Sequence, residues 1–214
     1  MKGKILGLLA VGLLTGPVAA HAAVIYESAT LGGIGVRGGF VMDRDSFIGA
    51  RFSLSSATNI TAIGGHLSVS RGTMFGAIVS LDGPDALPQG DPFDVGEVLA
   101  STTFGGTEFS ADRSIPLSVT LGPGNYALVF GSGLFGARQG SGNMPDNNPE
   151  IGSPTYIAYL GGDFGWVDGA SIEFARFVVY GDEDDEVSVP EPGSLALLAL
   201  GLAGLGVSRR RKAA

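Results

Sequence analysis

The chain has 214 residues, 36 of them glycine, a formal net charge of −8 and no cysteine. The absence of cysteine excludes disulfides and thiol chemistry, so the fold must depend on its hydrophobic core. Residues 23–189 carry seven Arg, no Lys and 20 Asp or Glu, a net charge of −13. Such an acidic body predicts no nucleic-acid partner, because binding phosphates requires a basic surface.

The N-terminal stretch 1–22 has the parts of a secretory signal peptide. Two lysines precede an apolar run over residues 5–14, and Ala20 and Ala22 frame an A-x-A cleavage site. We therefore expect a signal helix, export through the Sec translocon, and cleavage by signal peptidase that leaves Ala23 first. Cleavage after Ala20 or after Ala23 fits the residues nearly as well, and an uncleaved N-terminal anchor is the alternative.

After the signal stretch, apolar and polar residues alternate with the two-residue period that is typical of β-strands. Apolar residues alternate over 115–121 and again over 126–130 around a Gly-Pro-Gly-Asn turn, which predicts a β-hairpin. Residues 172–180 are apolar on both faces, which predicts a central last strand. Further strands are predicted over residues 24–27, 39–42, 46–54, 63–69, 75–81 and 97–103.

Many short strands with Gly and Pro turns predict one all-β domain over 23–181, a two-sheet sandwich that is jelly-roll-like. Long loops are expected over 82–93 and 131–154. The acidic run at 182–186 repels itself, so we expect a solvated linker over 182–188.

The C-terminal stretch 189–214 combines a helix-breaking box, an apolar segment and a basic cluster. The box consists of Val189, Pro190, Glu191, Pro192 and Gly193. The uncharged segment 195–207 predicts a single transmembrane helix, although a full span takes about 20 residues. A basic stop-transfer cluster keeps the end of the chain cytoplasmic; it consists of Arg209, Arg210, Arg211 and Lys212.

This three-part tail resembles the PEP-CTERM sorting signal of Gram-negative bacterial surface proteins. The resemblance implies that an exosortase, a membrane cysteine transpeptidase, recognises the Pro-Glu-Pro box and removes the tail. It also implies a transient inner-membrane anchor and a final place at the cell surface or in the exopolysaccharide matrix. An ordinary C-terminal anchor helix is the alternative.

The body is similar to the choice-of-anchor domain, which occurs in surface proteins with interchangeable C-terminal anchors. The similarity lies in residues 50–53 leading to Ile60 and Ile63, in the strand–turn–strand at 121–128, and in Trp166 before the last strand. No activity follows from this resemblance.

Catalytic motifs are scarce in the body. Its only histidine, His66, lies opposite the apolar residues of its strand, so we expect it to face solvent. No G-x-S-x-G or H-E-x-x-H motif occurs. Glu97, Glu108 and Glu173 are candidates for a glycosidase acid pair. The sequence predicts a structural or binding protein rather than an enzyme, with a secreted polysaccharide-binding or polysaccharide-degrading enzyme as the alternative.

No cofactor is required by these motifs, and calcium is the ion that the loops favour, because carboxylates supply hard oxygen ligands. The candidate ligands are Asp82, Asp85, Asp91 and Asp94, with a second polar group at 146–148. Ordinary turn formation by Asp and Asn is the competing interpretation. Aromatic residues that are candidates for stacking on sugar rings, or for core packing, are Tyr156, Tyr159 and Trp166.

Overall fold

The structure, a computed structural model, describes residues 22–169 and 171–183. Within these ranges it consists of twelve β-strands and no helix. The strands are β1 Ala23–Glu27, β2 Phe40–Met42, β3 Phe47–Leu54, β4 Thr58–Arg71, β5 Met74–Leu81, β6 Val98–Phe104, β7 Ala111–Leu121, β8 Gly124–Gly131, β9 Ser141–Met144, β10 Tyr156–Tyr159, β11 Trp166–Asp168 and β12 Phe177–Glu183. The expected signal helix and transmembrane helix lie outside the described residues. None of the described segments is a helix able to cross a membrane.

The strands form two antiparallel six-stranded sheets, which confirms the prediction of an all-β, two-sheet domain. The first sheet has the order β1-β12-β4-β9-β2, and β7 also pairs with β4. The second sheet has the order β11-β10-β3-β8-β5-β6. Consecutive strands therefore often belong to different sheets, and the chain crosses the core repeatedly.

The larger core lies between the facing sides of the two sheets. Phe130 of β8 stacks on Phe177 of β12 across this core, with ring centroids 5.8 Å apart. At Gly76 of β5 a Cβ would lie 2.5 Å from Cδ1 of Ile63, so the close approach of the sheets requires glycine there. Burying each such aromatic side chain contributes about 1.5–3 kcal/mol, which makes this core the main source of stability.

A second, smaller core covers the outer side of the second sheet. There the β5–β6 loop, residues 82–97, lays Phe93 against Phe47 and Trp166. Arg51, which is 7% exposed, fastens the same loop, because its Nε donates to the carbonyl of Ala86 at 2.9 Å. The outer side of this sheet is therefore occupied by the protein itself.

The hairpin predicted at 115–130 is wrong. The two strands form, but β7 pairs with β4 in the first sheet and β8 pairs with β3 and β5 in the second. The turn is a corner between sheets, held by the Tyr126 hydroxyl, which donates to the carbonyl of Gly122 at 2.9 Å. β8 is buried because its two edges pair with β3 and β5 and its two faces contact the two hydrophobic cores, which leaves no free edge for β7.

The last strand is central, between β1 and β4, but it begins at Phe177 rather than at residue 172. Phe174 precedes it with φ of +58° and a side chain that is 43% exposed, so the alternation at 172–176 does not belong to a strand. The expected long loop at 131–154 contains β9, and β12 runs two residues into the expected linker.

Both ends of the described chain leave the domain on the same side. Ala23 of β1 pairs with Gly181 of β12, and Glu183 pairs with Thr58 at the start of β4. Arg71 ends the 14-residue strand β4 at the opposite side. At about 3.3 Å per residue, roughly 40 Å separates the two ends of this strand. We call the side near Arg71 the distal end.

Candidate functional site

The distal end carries a groove made of two adjoining cavities of about 700 and 640 Å³. Both cavities are lined by Arg44, Asp45 and Gln139, so they adjoin one another. We define the distal groove by these three residues together with Arg71, Arg138 and Tyr159. The volume of each cavity lies within the range of small-molecule sites.

The distal groove holds positive charge in a strongly acidic body. It contains three of the seven arginines of residues 23–189. Arg44 pairs only with its neighbour Asp45, with side chains 79% and 71% exposed. The side chains of Arg71 and Arg138 are exposed and make no hydrogen bond or ion pair with any described residue. These guanidinium groups are therefore available to a ligand.

The loops that line the distal groove are held together by a buried serine. The hydroxyl of Ser132 donates to the carbonyl of Thr73 and accepts from the amide of Gly140, both at 2.9 Å. The Ser132 amide donates to the carbonyl of Asp43 at 2.9 Å. Gly72 supports this approach with φ of +60°, since a Cβ there would lie 2.3 Å from the carbonyl of Gln139. The groove is thus preformed rather than assembled from free loops.

The proposed sugar-stacking role of Tyr156, Tyr159 and Trp166 needs correction. Tyr156 and Tyr159 are each 6% exposed, so their ring faces pack inside the protein. The hydroxyl of Tyr159 donates to Asp91, a hydrogen bond that raises the pKa of Tyr159. Trp166 is half-buried and its indole N–H donates to the carbonyl of Pro92. All three side chains anchor loops, because the second core covers the outer side of their sheet.

Two exposed aromatic residues adjoin residues that line the distal groove: Phe135, 41% exposed, follows Leu134, and Phe164 is 75% exposed. Phe164 lies on the β10–β11 loop, two residues after Gly162, which lines the groove. The loop is closed by hydrogen bonds from the amide of Leu160 to the carbonyl of Gly165 at 3.0 Å and from the amide of Phe164 to the carbonyl of Gly161 at 3.3 Å. Sequence reasoning did not single out Phe164.

The four candidate calcium ligands lie in or beside the β5–β6 loop but do not form a metal centre. No group of three or more His, Asp or Glu residues suited to a metal ion occurs among residues 22–169 and 171–183. Asp91 accepts from Tyr159, and the amide of Asp94 donates to Glu97 at 3.2 Å. Calcium binding stays a prediction that these contacts do not support. At 146–148, Asn148 is fully buried and holds the neighbouring loops.

His66 is fully buried, so the expectation that it faces solvent is wrong. Its Nδ1 lies 2.8 Å from Oδ1 of Asn148, and its Nε2 lies 2.8 Å from Oγ of Ser110. The Asn148 amide nitrogen donates to the carbonyls of Pro145 and Phe174, which leaves its oxygen as an acceptor. His66 therefore carries its proton on Nδ1 and accepts the Ser110 proton on Nε2.

The order serine, histidine, asparagine resembles a hydrolase triad, yet burial rules against that use. Ser110 is 3% exposed, and both His66 and Asn148 are fully enclosed. A substrate has no path to the serine hydroxyl, which also accepts from the amide of Val36 at 3.0 Å. The three residues act as a clamp that holds three segments on the outer side of the first sheet.

A second buried polar group lies beside this clamp. The guanidinium of Arg176 pairs with Glu27 and Asp112 and donates to the carbonyl of Ala29 at 2.6 Å. Burial raises the pKa of Asp112 and lowers the pKa of Arg176, because both charges have lost water. Removing Arg176 and Asp112 from water costs solvation free energy, and the contacts of the guanidinium with Asp112, Glu27 and Ala29 offset this cost.

The glycosidase candidates are separated in the structure. Glu97 accepts from the amides of Gln89 and Asp94, and burial raises its pKa. Glu108 pairs with Arg37 at 3.0 Å. Glu173 lines a cavity of about 590 Å³. The other carboxylates that line this acidic cleft are Asp85, Glu150 and Asp168.

Comparison with known proteins identifies the tail. Residues 188–212 match the PEP-CTERM protein-sorting motif. This motif supports an exported protein that an exosortase sorts, and it includes the box and the basic cluster, which lie outside the described residues. No curated protein and no solved structure matches the chain. The similarity of the body to the choice-of-anchor domain remains a prediction.

Ala22 and Ala23, at the expected signal cleavage site, are described, whereas Ala20 is not. Ala23 is the first residue of β1. Cleavage after Ala22 thus leaves the whole of this strand in the mature chain, paired to β12.

Proposed function

We propose that the chain is exported, held briefly in the inner membrane by residues 195–207, and released when an exosortase cuts at or near the Pro-Glu-Pro box. The match of residues 188–212 to the sorting motif carries this proposal. It is supported by the position of that stretch, shortly after β12 ends at Glu183. Five adjacent acidic residues, 182–186, precede the box in the sequence, and like charges in such a run repel one another.

We infer that the released domain has a non-catalytic structural or binding role at the cell surface or in the exopolysaccharide matrix. The strand neighbours β1-β12-β4-β7 and β3-β8-β5-β6 have the order of a jelly roll, to which four short strands are added. With both described chain ends on one side, the tail leaves the domain opposite the distal groove. A tethered molecule therefore presents that groove away from the membrane.

The tail is tested by replacing Glu191 with alanine. The box loses its only carboxylate, so exosortase recognition fails and uncut protein accumulates in the membrane fraction, while the folded domain is unchanged. Western blots of fractionated cells, with a tag inside the body, measure this. Glu186→Ala, a matched loss of one carboxylate outside the matched motif, is expected to mature normally.

The basic cluster provides the companion variant. Changing Arg209, Arg210 and Arg211 together to alanine weakens the stop signal, so protein with its tail still attached escapes from the membrane. If this variant and Glu191→Ala both mature like the parent chain, the tail is only an anchor and the sorting proposal is wrong.

Polysaccharide degradation is the second candidate function, and the acidic cleft favours it. Glu150 and Glu173 line this one cavity, and glycoside hydrolysis uses two carboxylates. Release of reducing sugar from acidic and neutral polysaccharides, abolished by Glu173→Gln, is the expected result for an enzyme. Absence of release, or release that is unchanged in Glu173→Gln, removes this candidate.

A further inference from the structure

We propose that the distal groove binds an acidic oligosaccharide, whose carboxylates pair with Arg44, Arg71 and Arg138. Every other described arginine already has a partner in the protein. Arg37 pairs with Glu108, Arg51 and Arg176 pair with carboxylates, and Arg113 donates to a carbonyl. The three arginines of the groove have none beyond the exposed contact of Arg44 with Asp45.

The charge balance makes the distal groove distinctive. Among the residues that line its two cavities, three are arginines and two are carboxylates, Asp43 and Asp45, while Asp91 behind them is already bonded to Tyr159. The body around it carries a net charge of −13. A polyanion is repelled by most of this surface, so attraction is confined to the groove. Arginine also matches a carboxylate with two parallel hydrogen bonds, which selects a planar anion.

Three features favour a saccharide over a simple anion. The two adjoining cavities, of about 700 and 640 Å³, offer more room than a simple anion requires, and they are open to solvent. Asp45 and Gln139 supply acceptors and donors for hydroxyl groups. Phe164, 75% exposed on a groove-lining loop, provides an apolar face for a sugar ring. A free phosphate uses none of these.

Because the loops that line the groove are already fixed in position, a ligand does not have to order them when it binds. Ser132 holds the segments that carry Arg44, Arg71 and Arg138 through three hydrogen bonds of 2.9 Å each. Such preorganisation lowers the entropic cost of association. The outward orientation of the groove rests on the proposed sorting of the tail, but binding itself does not.

The test is calorimetric titration of the full chain, in mild detergent, with a hexamer of galacturonic acid. Arg44→Gln and Arg138→Gln are each expected to weaken binding about 10-fold, the loss of one charge-assisted contact. Arg37→Gln, which removes the same charge from an exposed pair elsewhere, is the matched control and leaves the affinity unchanged. Phe164→Ala weakens binding without changing its dependence on salt.

The ligand controls separate the possible sources of affinity. The fully methyl-esterified hexamer and inorganic phosphate are expected to bind far more weakly than the acid hexamer. The proposal is overturned if the hexamer does not bind at millimolar concentration, if Arg37→Gln weakens binding as much as Arg44→Gln, or if the ester or phosphate binds as tightly. Because the unprocessed chain is titrated, these outcomes are independent of whether an exosortase cuts the tail.

Discussion

Arg176→Ala is expected to lower the free energy of unfolding by about 2–4 kcal/mol, less than the loss from a fully buried ion pair, because the side chains of Glu27 and Asp112 are 25% and 34% exposed. Arg176 is 7% exposed and joins Glu27 and Asp112, which come from β1 and β7, while donating to the carbonyl of Ala29. Removing the guanidinium leaves two partly buried carboxylates without a counter-charge. Chemical denaturation at neutral pH measures the loss.

The deficit of Arg176→Ala depends on pH in a defined direction. Burial already raises the pKa of Asp112 in the folded protein, and without the guanidinium no paired cation offsets this rise. Ionisation of Asp112 then opposes folding more strongly, and this penalty is present at neutral pH and relieved as the pH falls. We therefore expect a smaller difference from the parent chain at about pH 4 than at about pH 7.

Arg113→Ala is the matched control, because Arg113 is the neighbour of Asp112 on β7 and donates only to the carbonyl of Gly105. Its loss is expected to stay within about 1 kcal/mol. An Arg176→Ala variant no less stable than Arg113→Ala contradicts the role given to the buried pair. A deficit that grows at acid pH contradicts its electrostatic origin.

His66→Ala is expected to cost about 3 kcal/mol, from a cavity and from hydrogen bonds that Asn148 and Ser110 lose. For a domain of this size such a loss lowers the melting temperature by about 6–12 °C. The reason is that His66 is fully buried and bonds through both ring nitrogens. Differential scanning calorimetry gives the measurement.

Two further variants test whether the loss in His66→Ala comes from the hydrogen bonds of the histidine. Ser118→Ala changes an exposed position on the same sheet and is expected to leave the melting temperature almost unaltered. His66→Gln keeps a polar side chain that can donate and accept, so it recovers part of the loss. If His66→Ala and Ser118→Ala have equal melting temperatures, the hydrogen bonds of His66 with Asn148 and Ser110 do not stabilise the domain, and the clamp is excluded.

The alternation of apolar residues predicts most strands of this protein, because residues two apart share a face of a sheet. The bounds expected for β2 and β3 differ from the observed ones by one residue. The strand partners did not follow from the same pattern. Alternation states which side of a strand is buried, but not which strand lies beside it, so the turn at 122–123 was mistaken for a hairpin.

Residues on the outer sides of the sheets show the same limit. His66 alternates with the apolar residues of its strand as a solvent-facing residue does, yet segments distant in sequence cover it. The burial of an outer face depends on long-range packing of loops, which local periodicity does not contain. The short strands β9, β10 and β11 were missed for the related reason that their length is too small for a pattern.

By itself the sequence determined the all-β class and the sorting tail, because both depend on neighbouring residues: the period of a strand, and the order of a box, an apolar segment and a basic cluster. The distal groove could be recognised only from the tertiary structure. Arg44, Arg71 and Arg138 are far apart in the chain and meet because β3, β4 and β8 begin or end at one side of the sandwich. Long-range pairing of strands, not local pattern, brings such charges together.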